Sequence, residues 1–406
     1  MQNQSEFLFF DRLDKLSDMT DLPALTRRLV SFASEFALEG NIWQHWLAYI
    51  IMTDENPFSL CCERREVKEE ATLIKLAEPD MSKFMDLMKM EPLPQLSDYK
   101  APYSDSVMTA QGRRISELSE KLAKAKDVGE FTRLVTGDYS LYGAGMYGLY
   151  RAFRLSSVQG NGAEIVPVIE TSDVSFDELV GYEEHKKILK ENTEAFIRGE
   201  QANNVLLYGD SGTGKSTSVH ALMHDYYDKG LRLIEIGKQE RRHLPWVLAE
   251  VKKRNYRFII YLDDLSFEEN ESDFKELKAM LEGALESKED KVLIYATSNR
   301  RHLIRETWGD RSDMEHDGDI HRSDTMEEKL SLASRFGITI YYGKPDYQEY
   351  LNIARTLAKR YGLEIGDKEL EDEARRWEIR HGSTSGRTAA QLISWLKSSE
   401  EKERDE

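Results

Sequence analysis

The chain has 406 residues, of which 40% are hydrophobic and 32% charged, and its formal net charge at pH 7 is −18. This length exceeds an ordinary single domain and predicts two or three. The negative overall field does not favour non-specific binding to nucleic acid, although a local basic patch is compatible with it. The two cysteines, Cys61 and Cys62, are adjacent, and they form neither a disulfide framework nor a metal-ligand pattern with a second pair.

Neither an export signal nor a membrane span is predicted. The apolar stretch at residues 46–52 is far shorter than the roughly 20 residues that cross a bilayer. The apolar run at residues 7–10 is shorter than the core of a signal peptide. We therefore expect a cytoplasmic protein without a membrane partner.

The first part of the chain predicts helices. Apolar residues recur at helical spacing in residues 25–38 and 113–126, with few strand signals around them. We predict a mainly α-helical N-terminal domain at residues 1–155. Turn-forming residues around a short extended run then indicate a linker at residues 156–173.

Strands alternate with helices after the linker. Apolar, partly β-branched runs predict five strands, at residues 204–209, 231–236, 258–262, 292–297 and 338–342. Near-continuous apolar strands separated by helices are typical of a parallel sheet covered on both faces. The predicted fold class is α/β, with a core at residues 174–344 and helices at residues 345–406.

A glycine-rich turn follows the first of these strands. Residues 209–216 fit the P-loop pattern, in which backbone N–H groups close around phosphate oxygens at the positive end of a helix. Lys215 would reach the β- and γ-phosphates, and the Ser216 hydroxyl would bind Mg²⁺. The predicted phosphate-binding residues are Gly209, Asp210, Ser211, Gly212, Thr213, Gly214, Lys215, Ser216 and Thr217. Thr217 has no role in the pattern itself, and a glycine turn without a ligand is the alternative for the whole stretch.

Two aspartates end the third predicted strand. Asp263 and Asp264 follow an apolar run, and carboxylates at such a position emerge at the carboxyl edge of the sheet beside the P-loop. Asp263 is suited to holding Mg²⁺ through water, and Asp264 to orienting or deprotonating the attacking water. An acidic helix cap is the alternative for both residues.

These motifs together carry a family resemblance. Residues 172–397 resemble an AAA+ ATPase, and the phrases "NNVLLYGDSGTGKS", "FIIYLDDLSFE", "YATSNRRHLI" and "SGRTAAQL" resemble a bacterial AAA-type ATP-binding family of unassigned function. The resemblance implies a P-loop core with a C-terminal helical lid. It also implies ATP and Mg²⁺ as cofactors, a homo-oligomer, and ATP hydrolysis coupled to an unknown protein partner.

The resemblance also implies roles for single residues. Gly181 and Tyr182 match positions that contact adenine, and Asn299 matches sensor 1, which positions the hydrolytic water. Arg335 matches the arginine finger that reaches the γ-phosphate of a neighbouring subunit. Arg387 matches sensor 2 in the lid. An asparagine turn and a surface arginine are the alternatives for Asn299 and Arg335.

Two departures from the AAA+ pattern bear on function. Asp264 stands where these enzymes commonly have glutamate, so either hydrolysis is slow or Glu268 assists. Residues 237–246 lack the aromatic, apolar and glycine trio with which ring translocases grip a polypeptide, which favours a switch, loader or remodelling factor. A nucleotide-dependent assembly scaffold with little turnover and a helper ATPase in DNA transactions remain as alternatives.

A polar segment at residues 302–324 contains potential metal ligands. They are His302, Asp310, Asp313, His316, Asp317, Asp319 and His321. Without a helix or strand as a frame, their spacing specifies no coordination geometry. We favour a polar loop that contacts a partner, with a metal site as the alternative.

Overall fold

The computed structural model describes residues 7–10, 21–64, 72–100, 108–158, 162–169, 174–265, 291–299, 336–382 and 384–405. The chain divides into two compact units. Unit 1 comprises Met1–Arg151, Asp228–Gly230 and Lys253–Tyr256, and unit 2 comprises Ala152–Tyr227, Leu231–Lys252 and Arg257–Glu406. Within the described ranges, none of the helices combines the length and the hydrophobicity that crossing a bilayer requires.

Unit 1 is built from helices, in agreement with the mainly helical character predicted for this part of the chain. Its α-helices are α1 (Leu22–Phe36), α2 (Ile42–Thr53), α3 (Pro57–Glu63), α4 (Thr72–Met88), α5 (Ala110–Ala123), α6 (Val128–Tyr142) and α7 (Gly145–Leu149). Helix α1 begins after Asp21, whose side chain accepts a hydrogen bond from the N–H of Ala24 at 3.1 Å. The buried residues of α1 recur at helical spacing and are Leu25, Leu29, Phe32, Ala33 and Phe36.

A buried ion pair joins distant stretches of unit 1. Arg254 donates to the two carboxylate oxygens of Glu63 from Nη2 at 2.6 Å and from Nε at 3.0 Å. Its Nη1 donates to Glu55 at 2.7 Å, and Glu63 also accepts the N–H of Ala144 at 3.1 Å. Only 3% of Glu63 is exposed, so this carboxylate is compensated inside the unit by a fixed cation and by backbone hydrogen bonds.

Unit 2 contains a sheet of seven strands in the order β2-β1-β4-β5-β6-β3-β7. The strands are β1 (Ala152–Val158), β2 (Gly162–Pro167), β3 (Val205–Gly209), β4 (Leu231–Ile236), β5 (Arg257–Leu262), β6 (Val292–Ser298) and β7 (Ile338–Tyr342). Strands β3 to β7 lie where five strands were predicted, and the pairs among them are parallel. All five residues of β3 are buried, which explains its continuous apolar run.

The prediction of five strands was wrong, because β1 and β2 extend the sheet at one edge. Strand β1 pairs in parallel with β4 and antiparallel with β2. These strands occupy residues 152–158 and 162–167, within and just before the segment interpreted as a linker. In β1 the buried Phe153 and Leu155 flank the exposed Arg154, and a strand with one polar face gives a weaker sequence signal than a fully buried one.

In unit 2, some helices lie between the strands in the chain and others follow the last strand. Helix α8 (Glu183–Arg198) and α9 (Lys215–Tyr226) contribute buried residues to the core that contains the strands. Helix α10 (Leu244–Val251) lies between β4 and β5 in the chain. The last helices are α11 (Tyr347–Arg360), α12 (Asp367–His381) and α13 (Gly386–Asp405), and together they enclose a second apolar core. We refer to α11–α13 as the lid.

Candidate nucleotide-binding site

The glycine-rich turn connects β3 to α9. Gly209 ends the strand with a φ of 129°, and Gly214 precedes the helix with a φ of 93°, both in the region that favours glycine. A Cβ atom on Gly209 would also collide with the backbone of Tyr342 in the neighbouring strand. The turn therefore requires glycine at these positions for backbone reasons, and it directs the first N–H groups of a 12-residue helix toward the cleft.

Lys215 is the first residue of α9 and is buried. Its Nζ donates to the carbonyl oxygens of Gly209 at 3.1 Å and Asp210 at 2.5 Å. Burial lowers the pKa of Lys215 to about 8, although the carboxylates of Asp210, Asp264 and Asp263 oppose this shift. The ammonium group is thus held inside the turn by backbone carbonyls.

Asp263 follows β5, and one of its carboxylate oxygens accepts hydrogen bonds from three hydroxyl groups. Oδ1 accepts hydrogen bonds from Tyr261 at 2.5 Å, Thr297 at 2.6 Å and Ser216 at 3.1 Å. Although partial burial acts in the opposite direction, these hydroxyls hold the pKa of Asp263 below its ordinary value. The side chain is therefore a carboxylate at neutral pH and lies beside the Ser216 hydroxyl.

Asp264 has a left-handed backbone conformation, with a φ of 47°. Asn299, which follows β6, donates from Nδ2 to its Oδ1 at 3.0 Å, and the Asp264 N–H donates to the Thr297 hydroxyl at 3.0 Å. Arg241 donates from Nη2 to the carbonyl oxygen of Asp263 at 2.9 Å and makes a longer contact of 3.4 Å with that of Asp264. Three side chains, two from the end of β6 and one from the segment before α10, thus hold this turn.

The P-loop, the two aspartates, Thr297 and Asn299 line one cleft of about 590 Å³. The P-loop follows β3, the aspartates follow β5 and Asn299 follows β6, so the parallel strands bring them to the same edge of the sheet. The lid contributes Ile353, Leu357, Arg360, Tyr361, Gly386, Arg387 and Ala390. The backbone N–H of Arg387 donates to the carbonyl of Gly212 at 3.3 Å, which joins the lid to the P-loop.

The segment before α8 forms another side of the cleft. Tyr182 lines it, and the hydroxyl of Tyr182 donates to the carbonyl of Gly343 at 2.8 Å. Residues Glu178 and Val180 also line the cleft. Arg360 of α11 donates to the Glu178 carbonyl at 2.7 Å, so this segment is tied to the lid. The apolar side chains of Val180 and Tyr182 on this side of the cleft suit a flat ring.

Most of the residues predicted for the site lie on this cleft. They are Tyr182, Ser211, Gly212, Thr213, Gly214, Lys215, Ser216, Thr217, Asp263, Asp264, Asn299 and Arg387. Gly181, Gly209 and Asp210 are not among the lining residues; the Asp210 carboxylate instead accepts the N–H of Lys344 at 3.2 Å. Arg335, Glu268 and residues 302–324 lie outside the described residues.

Tyr261, Thr297 and Arg241 were not anticipated from the sequence. Tyr261 stands two residues before Asp263 and Thr297 two residues before Asn299, and side chains two apart on a strand share a face. A period-two pattern of polar residues at the ends of β5 and β6 was therefore a usable signal. Arg241 comes from the 3₁₀ segment Lys238–His243, and its contact with the aspartates depends on the tertiary fold.

The donor set fits a magnesium nucleotide. The Ser216 hydroxyl and the Asp263 carboxylate lie 3.1 Å apart, and both are hard oxygen ligands of the type that Mg²⁺ prefers. The glycine backbone and the start of α9 supply N–H donors for phosphate oxygens. Fold and site together define an AAA+ P-loop protein.

Sequence comparison gives the family. Residues 149–400 match the family described as "Protein of unknown function (DUF815)", and the chain belongs to this family. The predicted recognition, an AAA+ P-loop protein in a family of unassigned function, is confirmed.

Curated proteins and solved structures with related sequences are more distant. The replication factor C large subunit of Methanococcus maripaludis is 24% identical over an alignment of 219 residues, which covers 49% of this chain and 43% of that protein. The replication factor C small subunit of Thermofilum pendens is 32% identical over 95 residues, 23% of this chain and 27% of that protein. The chain thus spans less than half the length of these curated relatives.

Among solved structures, the RuvB Holliday junction branch migration motor of Thermotoga maritima is 21% identical to this chain, with a TM-score of 0.37. The match covers 54% of this chain and 63% of that chain. The FIGL-1 AAA domain in complex with ADP is 19% identical to this chain, with a TM-score of 0.38. The match covers 55% of this chain and 73% of the FIGL-1 chain.

Proposed function

We propose that unit 2 binds ATP with Mg²⁺, hydrolyses the ATP, and couples this cycle to the switching or remodelling of a protein partner. The observation that carries the proposal is that one cleft gathers a phosphate-binding turn, a serine–aspartate oxygen pair and a second carboxylate held by an asparagine amide. These groups are contributed by Lys215, Ser216, Asp263, Asp264 and Asn299.

Each part of the cleft has a chemical role in this proposal. The N–H groups at the start of α9 bind phosphate oxygens, and the Lys215 ammonium exchanges its carbonyl partners for the β- and γ-phosphates. Ser216 and Asp263 would hold Mg²⁺, which when bound neutralises phosphate charge. Asp264 and Asn299 orient the attacking water, and Arg387 senses the nucleotide from the lid.

Replacement of the P-loop lysine tests the proposal directly. In Lys215→Ala we expect loss of measurable ATP binding and hydrolysis, because no other described cation is held inside the turn. Isothermal titration with ATP and Mg²⁺, followed by a phosphate-release assay, measures both. Lys187→Ala, at an exposed position of α8, is the control and should behave as wild type. Normal ATP binding and turnover in Lys215→Ala would refute the proposal.

A scaffold that binds ATP but turns it over slowly is the second candidate. The feature that favours it is Asp264, which is one methylene shorter than glutamate and whose carboxylate is already bonded to Asn299. Steady-state hydrolysis compared with nucleotide affinity distinguishes the two candidates. Tight binding with negligible turnover at every protein concentration supports the scaffold.

Assembly into a homo-oligomer is part of the proposal and rests on the sequence motif around Arg335. If Arg335 acts on the nucleotide of a neighbouring subunit, specific activity rises with protein concentration. The Arg335→Ala variant should then bind ATP with normal affinity and fail to hydrolyse it. Specific activity independent of concentration would remove this role.

A helper role in DNA transactions is a third candidate, motivated only by the names of the replication factor C and RuvB proteins to which the chain is similar. The net charge of −18 does not favour it. Stimulation of the ATPase by DNA with a steep salt dependence would support this role, and its absence would count against it.

A further inference from the structure

A single buried hydroxyl connects the two aspartates of the cleft. Thr297 Oγ1 lies 2.6 Å from Asp263 Oδ1 and 3.0 Å from the backbone nitrogen of Asp264. An ionised carboxylate only accepts hydrogen bonds, so the Thr297 O–H must donate to Asp263. Its oxygen lone pair then accepts the N–H of Asp264. The same hydroxyl therefore orients a side chain and a backbone amide.

Tyr261 acts on the same carboxylate from within β5. Its hydroxyl donates to Asp263 Oδ1 at 2.5 Å, and the residue is fully buried. Ser216, the third donor to this oxygen, sits at the P-loop and is the group that would engage Mg²⁺. Unlike Ser216, which lies in the first turn of α9, Tyr261 and Thr297 belong to adjacent paired strands of the sheet. They hold the carboxylate with two short, charge-assisted hydrogen bonds.

Packing alone does not explain these two hydroxyls. Thr297 is 2% exposed and Tyr261 is fully buried, and valine and phenylalanine would fill nearly the same volumes in a strand. A buried hydroxyl is unfavourable unless it is hydrogen-bonded, and both of these are satisfied by Asp263. Their hydrogen bonds are thus directed at the residue that the proposed chemistry uses.

We propose that Thr297 and Tyr261 are positioning residues, which fix the Asp263 carboxylate and the Asp264 backbone in the arrangement that receives the nucleotide-bound metal. This inference rests on the proposed function of the cleft. Neither residue contacts the nucleotide in this role; both act through the aspartates. Removing a group that hydrogen-bonds to a metal ligand typically lowers metal affinity about 10- to 100-fold.

The test measures Mn²⁺ affinity in the presence of ADP by electron paramagnetic resonance, with the full chain. Thr297→Val removes the hydroxyl and keeps the shape, and we expect Mn²⁺ affinity to fall about tenfold or more. Thr297→Ser keeps the hydroxyl and should stay within about twofold of wild type. Tyr261→Phe should weaken Mn²⁺ binding in the same direction. Affinity for ADP in EDTA should not change in any of the three variants.

Each outcome decides for or against the inference. Equal Mn²⁺ affinity in Thr297→Val and wild type overturns it, as does a parallel loss of metal-free ADP affinity, which indicates a structural role only. If Thr297→Val does not fold, Tyr261→Phe decides by the same measurements. A wild-type protein that binds Mn²⁺ and ADP without hydrolysing ATP contradicts the proposed function, but the Mn²⁺ affinities of wild type and variants still test this inference. Absence of ADP-dependent Mn²⁺ binding in wild type overturns both.

Discussion

The carboxylates of the two units are stabilised in different ways. In unit 1, Glu63 is 3% exposed and is bonded by the Arg254 guanidinium, which neutralises its charge. In unit 2, Asp263 lies at the edge of the sheet, and the hydrogen bonds to its Oδ1 come from neutral hydroxyls. A guanidinium fixes a carboxylate as part of the structure, whereas hydroxyls orient it and leave its negative charge available to a cation.

The largest expected effect concerns the ion pair of unit 1. Glu63→Ala leaves the Arg254 cation buried near the remaining Glu55, and we expect the free energy of unfolding to fall by about 3–5 kcal/mol. Urea denaturation measures it, with the exposed Glu78→Ala as control. Asp263→Asn should change stability by less than about 1 kcal/mol while abolishing metal-dependent turnover, since its amide oxygen still accepts the buried hydroxyls of Tyr261 and Thr297 but carries no charge. Similar stability losses in both variants would show that the two carboxylates are stabilised in the same way.

A second effect concerns the pH dependence of unit 1. Burial lowers the pKa of His45 from 6.5 to about 4, although Glu120 opposes the shift. The unfolded chain therefore binds a proton at a higher pH than the native one, and stability is fully present above about pH 6.5 and falls as the pH is lowered toward 4. The expected loss between pH 7 and pH 5 is about 2 kcal/mol. The His45→Leu variant should lose this component of the pH dependence in urea denaturation; an unchanged dependence contradicts the assignment.

A third effect concerns Arg241 and the turn that carries the aspartates. Arg241→Ala removes a charged donor from the Asp263 carbonyl, and we expect kcat to fall about tenfold with little change in KM for ATP. Arg241→Lys should recover part of the activity. The neighbouring Arg242→Ala, at an exposed position, is the matched control. A rise in KM with an unchanged kcat would indicate that Arg241 acts on binding.

The smallest effect is expected for Asp264→Glu, which restores the residue common in AAA+ enzymes. The left-handed backbone at this position is tolerated well by aspartate and less well by glutamate, with a difference of about 1 kcal/mol. We therefore expect turnover to change by less than about fivefold, because the longer side chain also has to replace the contact with Asn299. A large gain in phosphate release would show that the side-chain length limits the wild-type rate.

Local patterns in the sequence were sufficient for much of unit 2. The strands β3 to β7 were predicted within about one residue of their observed ends, because each is a short apolar run bounded by polar residues. Lys215, Ser216 and the two aspartates were predicted as site residues because a phosphate turn and a strand-end carboxylate are encoded in a few consecutive residues. The paired strands β1 and β2 were missed because one face of β1 is exposed and the turn-forming residues of this stretch were interpreted as a linker.

Local sequence patterns specify the class of fold and the predicted polar groups of the cleft, because strand burial and the P-loop pattern are local properties. The groups that surround these residues follow from the tertiary structure. Thr297 reaches Asp263 across two paired strands, and Arg254 reaches Glu63 across 191 positions of the chain. The first contact leaves only a period-two pattern of polar residues in the sequence, and the second leaves no local pattern, because it depends on how distant segments fold together.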